Sequence, residues 1–293
     1  MKDAVNIDDL FPIRELSART QVNTVTIRAW ERRYGLLTPM RTDKGHRLYS
    51  EDDVKKVEKI LSLIARGVSV GKVKAMLKQT PSDESKQDMT LWQHAITQIQ
   101  MASQTYQSHQ LEKVIADYFV NYPVQVCHKN VFEPLFSLLQ KEEAGNRAQR
   151  AFIESELLAY TLRRLKNSQA DKPKSSPDGH NLVVTLGDNT AIWPLLFLCL
   201  ELADANVNVQ LINQTITLDS LIEIRKEKQA YQVLFYQDGV WGQEQKQLAQ
   251  EVLAQDQNIV ICGTAAIISQ IVAQNQVFSA LSEFSQYLLK QPA

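Results

Sequence analysis

Apolar residues near the start of the chain recur at helical spacing in two short segments. Pro12 begins the first segment, and a proline suits the first turn of a helix because the N–H that it lacks has no partner there. Asn23 is placed to cap a second helix over residues 24–34. The apolar stripe of this second helix, which we expect to be buried, consists of Ile27, Trp30 and Tyr34. Two short helices joined by a tight polar turn predict a helix-turn-helix, whose second helix enters the major groove of DNA.

The basic segment that follows these two helices predicts a β-hairpin wing. Residues 40–48 contain a turn signal at Gly45, between two short stretches that can be extended. Ser50 and Asp53 then form a capping-box pattern, and the helix that it begins continues to Gly67. The first domain is therefore expected to be a winged helix-turn-helix over residues 1–80.

Two polar segments without apolar periodicity divide the rest of the chain. Residues 81–89 and 168–180 contain Pro, Ser, Asp and Lys and are typical of linkers. Residues 90–167 lie between them and show several consecutive helical patterns, which predict a small helical bundle.

The last part of the chain, residues 181–293, alternates short β-rich runs with segments of helix length. The β-rich runs are Leu182–Leu186, Val207–Leu211, Gln232–Tyr236 and Ile259–Cys262. Such alternation predicts a parallel sheet with right-handed crossovers. The predicted fold class is thus multidomain: an α-rich winged helix-turn-helix, then a small helical bundle, then an α/β Rossmann-like domain.

The net charge of −1 conceals a strong asymmetry along the chain. Residues 1–80 contain 16 Lys and Arg against 10 Asp and Glu, whereas residues 81–293 contain 16 against 23. This distribution favours a basic module that binds a polyanion, attached to an acidic body.

The remaining composition predicts a cytoplasmic protein that does not enter a membrane. The three cysteines are far apart and form no C-x-x-C pair, which is typical of a reducing compartment. The first residues lack an apolar signal core, and the longest apolar run, Ile192 to Leu200, is shorter than the roughly 20 residues of a membrane-spanning helix. No His is spaced with Cys for a zinc site, and none of His94, His109, His128 and His180 has the spacing of a metal ligand.

The densest group of candidate functional residues lies in the predicted helix-turn-helix and wing. Eight Lys and Arg but three Asp and Glu fall between Ile13 and Arg47. A guanidinium can bind a phosphate or both acceptors of guanine, and the strongest candidates for such contacts are Arg28 and Arg32. The alternative is that these residues only support the fold, with the cations solvating a helix and the aromatic residues Trp30 and Tyr34 filling its core. This alternative is strong for the two aromatic residues and much weaker for the arginines.

This segment also matches a known family. The sequence from Arg28 to Leu37, RAWERRYGLL, is followed by Pro39, by Arg41 and Thr42, and by GHRLY from Gly45 to Tyr49. Together these motifs closely resemble the winged helix-turn-helix of the MerR family, and the resemblance runs from about Ile13 to Lys78.

The resemblance implies a recognition helix, a wing that touches the flanking DNA backbone, and Arg33 in support of either. The predicted DNA-binding residues are Thr24, Thr26, Arg28, Arg32, Arg33, Arg41, His46, Arg47 and Tyr49. It further implies a homodimer on a near-palindromic operator in double-stranded DNA, because one module covers too few base pairs to be selective. RNA polymerase is a further candidate partner.

The order of domains resembles the MlrA and CarH-like subgroup of that family, whose C-terminal region is cobalamin-binding or similar to a cobalamin-binding region. Such a site carries Glu/Asp-x-His-x-x-Gly after the first strand, with the imidazole as ligand to cobalt. Placing Gly187 at the carboxylate, Ala191 at the ligand and Pro194 at the glycine position leaves no imidazole. No cofactor is therefore predicted, and cobalamin binding through that histidine is not expected.

Two interpretations of the C-terminal region remain open. It is either a scaffold for dimerisation or for docking a signalling protein, which we favour, or a sensor of a small molecule beyond the strand ends near Gly187 and Gly263. Cyclic di-GMP is one candidate effector, by family analogy alone, as is a role in biofilm matrix or stress control. An α/β enzyme with an attached DNA-binding module is disfavoured because the chain lacks a P-loop, a G-x-G-x-x-G and a G-x-S-x-G motif. A nucleoid protein without sequence preference is disfavoured by the large acidic body.

Overall fold

The computed structural model describes residues 10–77, 89–140, 143–170, 180–229 and 231–291. The chain divides into two compact units, residues 1–156 and 157–293. Most of each predicted linker, 81–89 and 168–180, lies outside the described residues. The domain boundaries within the first unit stay predictions.

The N-terminal part of the first unit is a helix-turn-helix with a wing, as the sequence predicts. Its helices are α1 (Ile13–Thr20), α2 (Thr24–Arg32), α3 (Glu51–Ala65) and α4 (Val70–Met76). Its strands, β1 (Phe11–Pro12), β2 (Met40–Arg41) and β3 (Arg47–Tyr49), form an antiparallel sheet in the order β1-β3-β2. We call this segment the head. Strands β2 and β3 are the predicted wing, and Gly45 turns between them with a φ of +79°, which a glycine adopts without a steric cost.

Local capping signals fix the helix ends of the head. Asn23 caps α2 through its side chain, whose Oδ1 accepts from the amide of Val25 at 2.7 Å. Asp53 accepts from the amide of Ser50 at 3.0 Å in the predicted capping box at the start of α3. The helix α2 ends at Arg32, two residues before the predicted end, and Gly35 follows with a φ of +57°.

The rest of the first unit is helical, as the sequence periodicity predicts. Its helices are α5 (Met89–Gln104), α6 (Ser108–Asn121), α7 (Val124–Cys127), α8 (Glu133–Leu138) and α9 (Ala144–Ala170), which continues into the second unit. A π-helical turn over His128–Phe132 joins α7 to α8. Across the ranges that are described, no helix is both long and apolar enough to cross a membrane.

The second unit contains the predicted parallel sheet. Its strands are β4 (Asn181–Leu186), β5 (Asn208–Thr215), β6 (Gln232–Tyr236), β7 (Ile259–Cys262) and β8 (Val277–Phe278). All of their pairings are parallel, and the order β5-β4-β6-β7-β8 is that of a doubly wound fold. The two-residue strand β8 and the extension of β5 to Thr215 are not predicted by the sequence pattern.

Helices cover both faces of this sheet, which explains why its strands are almost wholly apolar. The helices are α10 (Trp193–Asp204), α11 (Ser220–Glu227), α12 (Gln243–Gln255), α13 (Thr264–Ile268) and α14 (Leu281–Lys290). Residues of α10 and α14 pack on one face and residues of α11, α12 and α13 on the other. Cys199 and Cys262 are buried in the first of these cores, and burial raises the pKa of both thiols, so neither is a reactive thiolate.

Candidate DNA-binding surface

The helix α2 buries one face and exposes the other. The buried face consists of Thr26, Ile27, Ala29 and Trp30. Val25, Arg28 and Arg32 are exposed, and their spacing of three and seven residues places them on one side of the helix. We call these three residues the reading face. Thr24 is half-buried at the start of the helix, beside this face.

The two arginines of the reading face have no internal partner in the part of the chain that the structure describes. Other head arginines are paired there, since Arg19 binds Glu15 and Glu51. No hydrogen bond or ion pair holds Arg28 or Arg32 among the described residues. Their guanidinium groups are therefore available for an external acceptor, such as a guanine edge or a phosphate.

The wing arginines are held by a single carboxylate that is not among the functional residues predicted from the sequence. Glu31 Oε1 lies 3.1 Å from Arg41 Nη2, and Glu31 Oε2 lies 2.5 Å from Arg47 Nε. The Glu31 side chain is only 13% exposed, and its pair with Arg47, which is 24% exposed, is better shielded from water than its pair with Arg41, which is 51% exposed. The hydrogen bond to Glu31 raises the pKa of Arg47 above its ordinary value. Glu31 thus sets the position of both wing arginines relative to the reading face.

His46 occupies the exposed turn of the wing. The amide of Thr42 donates to the His46 carbonyl at 2.9 Å, and the amide of His46 donates to Thr42 Oγ1 at 3.1 Å. His46 is therefore an exposed residue of a hairpin turn that internal hydrogen bonds define.

Two of the predicted DNA contacts are corrected by their burial. Thr26 is 1% exposed and Tyr49 is 0% exposed, so neither side chain reaches the surface. Burial raises the pKa of Tyr49 to about 12, and neither hydroxyl has a hydrogen-bond partner among the described residues. Both residues belong to the support beneath the reading face. Thr26 lies four residues before Trp30 and so shares the buried side of α2, although its hydroxyl suggested a phosphate contact.

Trp30 of α2 and the two residues that follow the helix, Arg33 and Tyr34, contact helix α6. Trp30 Nε1 donates to the Asn121 carbonyl and the Tyr34 hydroxyl donates to Asn121 Oδ1, each at 2.9 Å. Arg33 Nη1 lies 3.9 Å from Asp117 Oδ1, on the same helix α6. Both side chains of this pair are exposed, so a DNA contact by Arg33 stays a prediction. Asn121 and Asp117 lie almost ninety residues away in sequence, and no local signal pointed to them.

The carboxyl ends of the parallel strands, where α/β folds bind ligands, are closed by internal hydrogen bonds. Asp238 Oδ1 accepts from the amide and the hydroxyl of Thr264 at 3.0 and 3.1 Å, and Asp238 Oδ2 accepts from Tyr236 at 2.5 Å. A Cβ on Gly187 would collide with the side chains of Gln237 and Phe235. Among the described residues, no group of three or more His, Cys, Asp and Glu could hold a metal ion.

Comparisons with known proteins agree with this geometry. Residues 11–80 match the family model of the MerR HTH family regulatory proteins. The HTH-type transcriptional regulator MlrA of Escherichia coli K12 is 32% identical over 186 residues, which cover 63% of this chain and 73% of that protein. MlrA of Salmonella typhimurium SL1344 is 31% identical over 184 residues, with the same coverage of both chains. The HTH-type transcriptional repressor CarH of Myxococcus xanthus is 24% identical over 212 residues, 68% of this chain and 69% of that protein. From the winged head and these relatives together, the chain belongs to the MerR family of DNA-binding transcription regulators.

Proposed function

We propose that the protein binds a near-palindromic operator as a homodimer and places α2 of each subunit in the major groove. The observation that carries this proposal is the reading face, on which Arg28 and Arg32 are exposed without internal partners among the described residues. Each guanidinium can donate to O6 and N7 of a guanine, which is the commonest specific contact in the major groove. Regulators of this family typically act as dimers, and two-fold symmetry in the protein calls for two-fold symmetry in the operator.

The wing serves to fix the register of each subunit on the flanking phosphates. Arg41 and Arg47 each carry five N–H donors, so each can keep its bond to Glu31 and still donate to a phosphate. His46 adds a contact from the turn. Phosphate contacts of this kind position the protein without reading sequence, so selectivity rests on α2.

The second unit is proposed to act as a scaffold that does not hold cobalamin through an axial histidine. In the motif Glu/Asp-x-His-x-x-Gly the ligand lies two residues after the carboxylate, so with Ala191 at the ligand position the carboxylate position falls on Asn189 and not on Gly187. A frame that begins at Asp188 puts Thr190 at the ligand position instead. The Thr190 hydroxyl already donates to the Asp188 carbonyl at 3.2 Å and accepts from the Asp238 amide at 3.3 Å. Neither register supplies an imidazole, and a hydroxyl with both roles occupied does not replace one.

The closed strand ends support the scaffold over a small-molecule sensor at this position. Thr264 also accepts from the Gly239 amide at 2.9 Å, and Trp241 Nε1 donates to Gln237 Oε1 at 2.9 Å. A ligand that displaced any of these bonds would have to satisfy the polar groups that it freed.

The operator proposal is tested by selecting bound fragments from genomic DNA with the full-length protein. We expect a dyad-symmetric motif to be recovered, and we expect Arg28→Ala to lose it while Arg33→Ala, on the neighbouring face, retains it. Recovery of fragments without a common motif would show binding without sequence preference and would exclude the proposal.

The scaffold proposal is tested by mixing the full-length protein with hydroxocobalamin and adenosylcobalamin, removing free corrinoid, and recording the visible spectrum. We expect no corrinoid absorbance in the protein fraction. Retention of one corrinoid per chain would overturn the proposal, and the shape of the spectrum would report whether a histidine is bound to cobalt.

A further inference from the structure

Val25 is an exposed apolar residue on the first turn of the recognition helix. Its side chain is 44% exposed and belongs to the same side of the helix as the basic residues of the reading face. Its amide donates to Asn23 Oδ1 at 2.7 Å, so the helix cap holds this turn in place. Val25 lies three residues before Arg28 and seven before Arg32, which aligns it with both.

The core of the head does not account for this valine. The core-facing positions of α2 are filled by its four buried residues, and Val25 projects away from them. Single exposed apolar residues are common on protein surfaces, so exposure alone does not indicate a function. The position of Val25 does indicate a function, because the N-terminal residues of a recognition helix lie closest to the base edges.

The chemistry of the major groove limits what a valine can contact there. Guanine presents O6 and N7, adenine N7 and an amino group, and cytosine an amino group, all of which need hydrogen-bonding partners. A short, β-branched side chain offers none, and it would leave such a group desolvated and unpaired. The C5-methyl group of thymine is the apolar feature of the groove.

We propose that Val25 reads the C5-methyl group of one thymine in each half-site and so determines specificity alongside Arg28 and Arg32. This inference rests on the proposed docking of α2 in the major groove. It adds an apolar contact to a surface whose other members recognise hydrogen-bond acceptors, so the half-site must combine a thymine with one or more guanines.

The experiment replaces each thymine of the selected half-site in turn with uracil, which removes the methyl group and keeps the base pair. Binding to the full-length protein is measured by fluorescence anisotropy at constant salt. We expect one thymine position at which uracil weakens binding by about three- to fivefold, the effect of losing one buried methyl contact. The other positions should change by less.

Variants assign that effect to the side chain. In V25A, which a helix tolerates well, the difference between thymine and uracil at that position should disappear, and in V25I it should return. M40A, at a half-exposed apolar residue of the wing, is the matched control and should keep the difference.

Three results would overturn the inference: a half-site without thymine, a wild-type protein indifferent to uracil at every position, or a V25A protein as sensitive to uracil as the wild type. Each of these can occur with a dyad-symmetric motif intact, in which case the proposed function stands and only the role of Val25 fails. Failure to recover any motif would overturn both.

Discussion

The arginines of the reading face and those of the α/β unit use the same side chain in opposite ways. Arg28 and Arg32 are exposed and make no hydrogen bond or ion pair with any other described residue. Arg225 is 9% exposed, binds Asp256 at 2.7 Å, and donates to the carbonyls of Lys228, Gln229 and Tyr231. Arg164 likewise binds Asp204 at 2.5 Å.

The difference shows that the hydrogen-bond partners of an arginine indicate its role. A guanidinium whose donors are satisfied by its own chain stabilises the fold, and it has little left to offer a ligand. One that the fold leaves without partners keeps its N–H donors free for water or for an external acceptor. The net charge of a segment cannot separate these cases, whereas the hydrogen-bond partners of each arginine can.

Removing Arg225 should have the largest effect and should act on stability. Arg225→Ala leaves Asp256 without its cation and three carbonyls without a donor, so we expect the free energy of unfolding of the second unit to fall by about 3 kcal/mol. Urea unfolding of the full-length protein, followed by circular dichroism, measures the loss.

Lys226→Ala is the matched control for this change. Lys226 is the neighbouring cation, and its pair with Glu223 is exposed, so the expected loss is below about 0.5 kcal/mol. Equal unfolding midpoints for the two variants would mean that the Arg225 contacts do not stabilise the unit.

Removing Arg32 should act on DNA affinity and leave stability unchanged. Loss of a bidentate guanine contact corresponds to about 1–3 kcal/mol, or about fivefold to 150-fold in operator affinity. Arg32→Ala should bind random-sequence DNA nearly as well as the wild type, because most of that binding comes from phosphate contacts. Anisotropy titrations with operator and random duplexes measure both affinities.

Arg33→Ala serves as the control, since this residue is adjacent in sequence and faces Asp117. We expect its operator affinity to stay within about threefold of the wild type, as for loss of one screened surface charge. If Arg33→Ala weakened operator binding as much as Arg32→Ala, the division between the reading face and its supporting side would be wrong.

The sequence predicted those parts of the head that depend on neighbouring residues. Asn23 as a helix cap, Gly45 as a turn and Asp53 in a capping box act within a few residues, and the structure confirms all three. The β-rich runs also predict four of the strands of the second unit, because strands buried on both faces are continuously apolar.

What the sequence did not predict depends on contacts between distant segments. Thr26 and Tyr49 carry polar groups suited to DNA, yet the packing of α2 and the wing buries them. No local pattern links Glu31 to Arg41 and Arg47, which the fold brings to it. The sequence pattern gives the period of a helix, but tertiary packing decides which face is free.

Glu31 binds two arginines of the wing, one of them half-exposed, so we expect its removal to have a moderate effect on stability. Glu31→Ala breaks charge-assisted hydrogen bonds to two arginines, one of them half-exposed, and should lower the stability of the head by about 1–2 kcal/mol. We also expect faster amide hydrogen exchange at residues 40–49, because the wing loses its link to α2.

The two partners of Glu31 allow this prediction to be sharpened. Arg47 is 24% exposed and Arg41 is 51% exposed, so Arg47→Ala should cost more stability than Arg41→Ala. The reverse order, or unchanged exchange in Glu31→Ala, would contradict the proposed role of Glu31 in fixing the wing.

The smallest expected effect is a pH dependence that arises in the bundle, outside the DNA-binding surface. Burial lowers the pKa of His128 below its ordinary 6.5, although the nearby Glu133 carboxylate acts to raise it. The folded chain therefore disfavours a proton that the unfolded chain accepts, so this residue reduces stability as the pH falls through 6.5. Urea midpoints measured from about pH 8 to about pH 5.5 should decline, and His128→Gln should flatten the decline. Lys129→Gln, at the exposed neighbouring residue, should keep the wild-type slope; a slope unchanged in His128→Gln would mean that the decline arises from other groups.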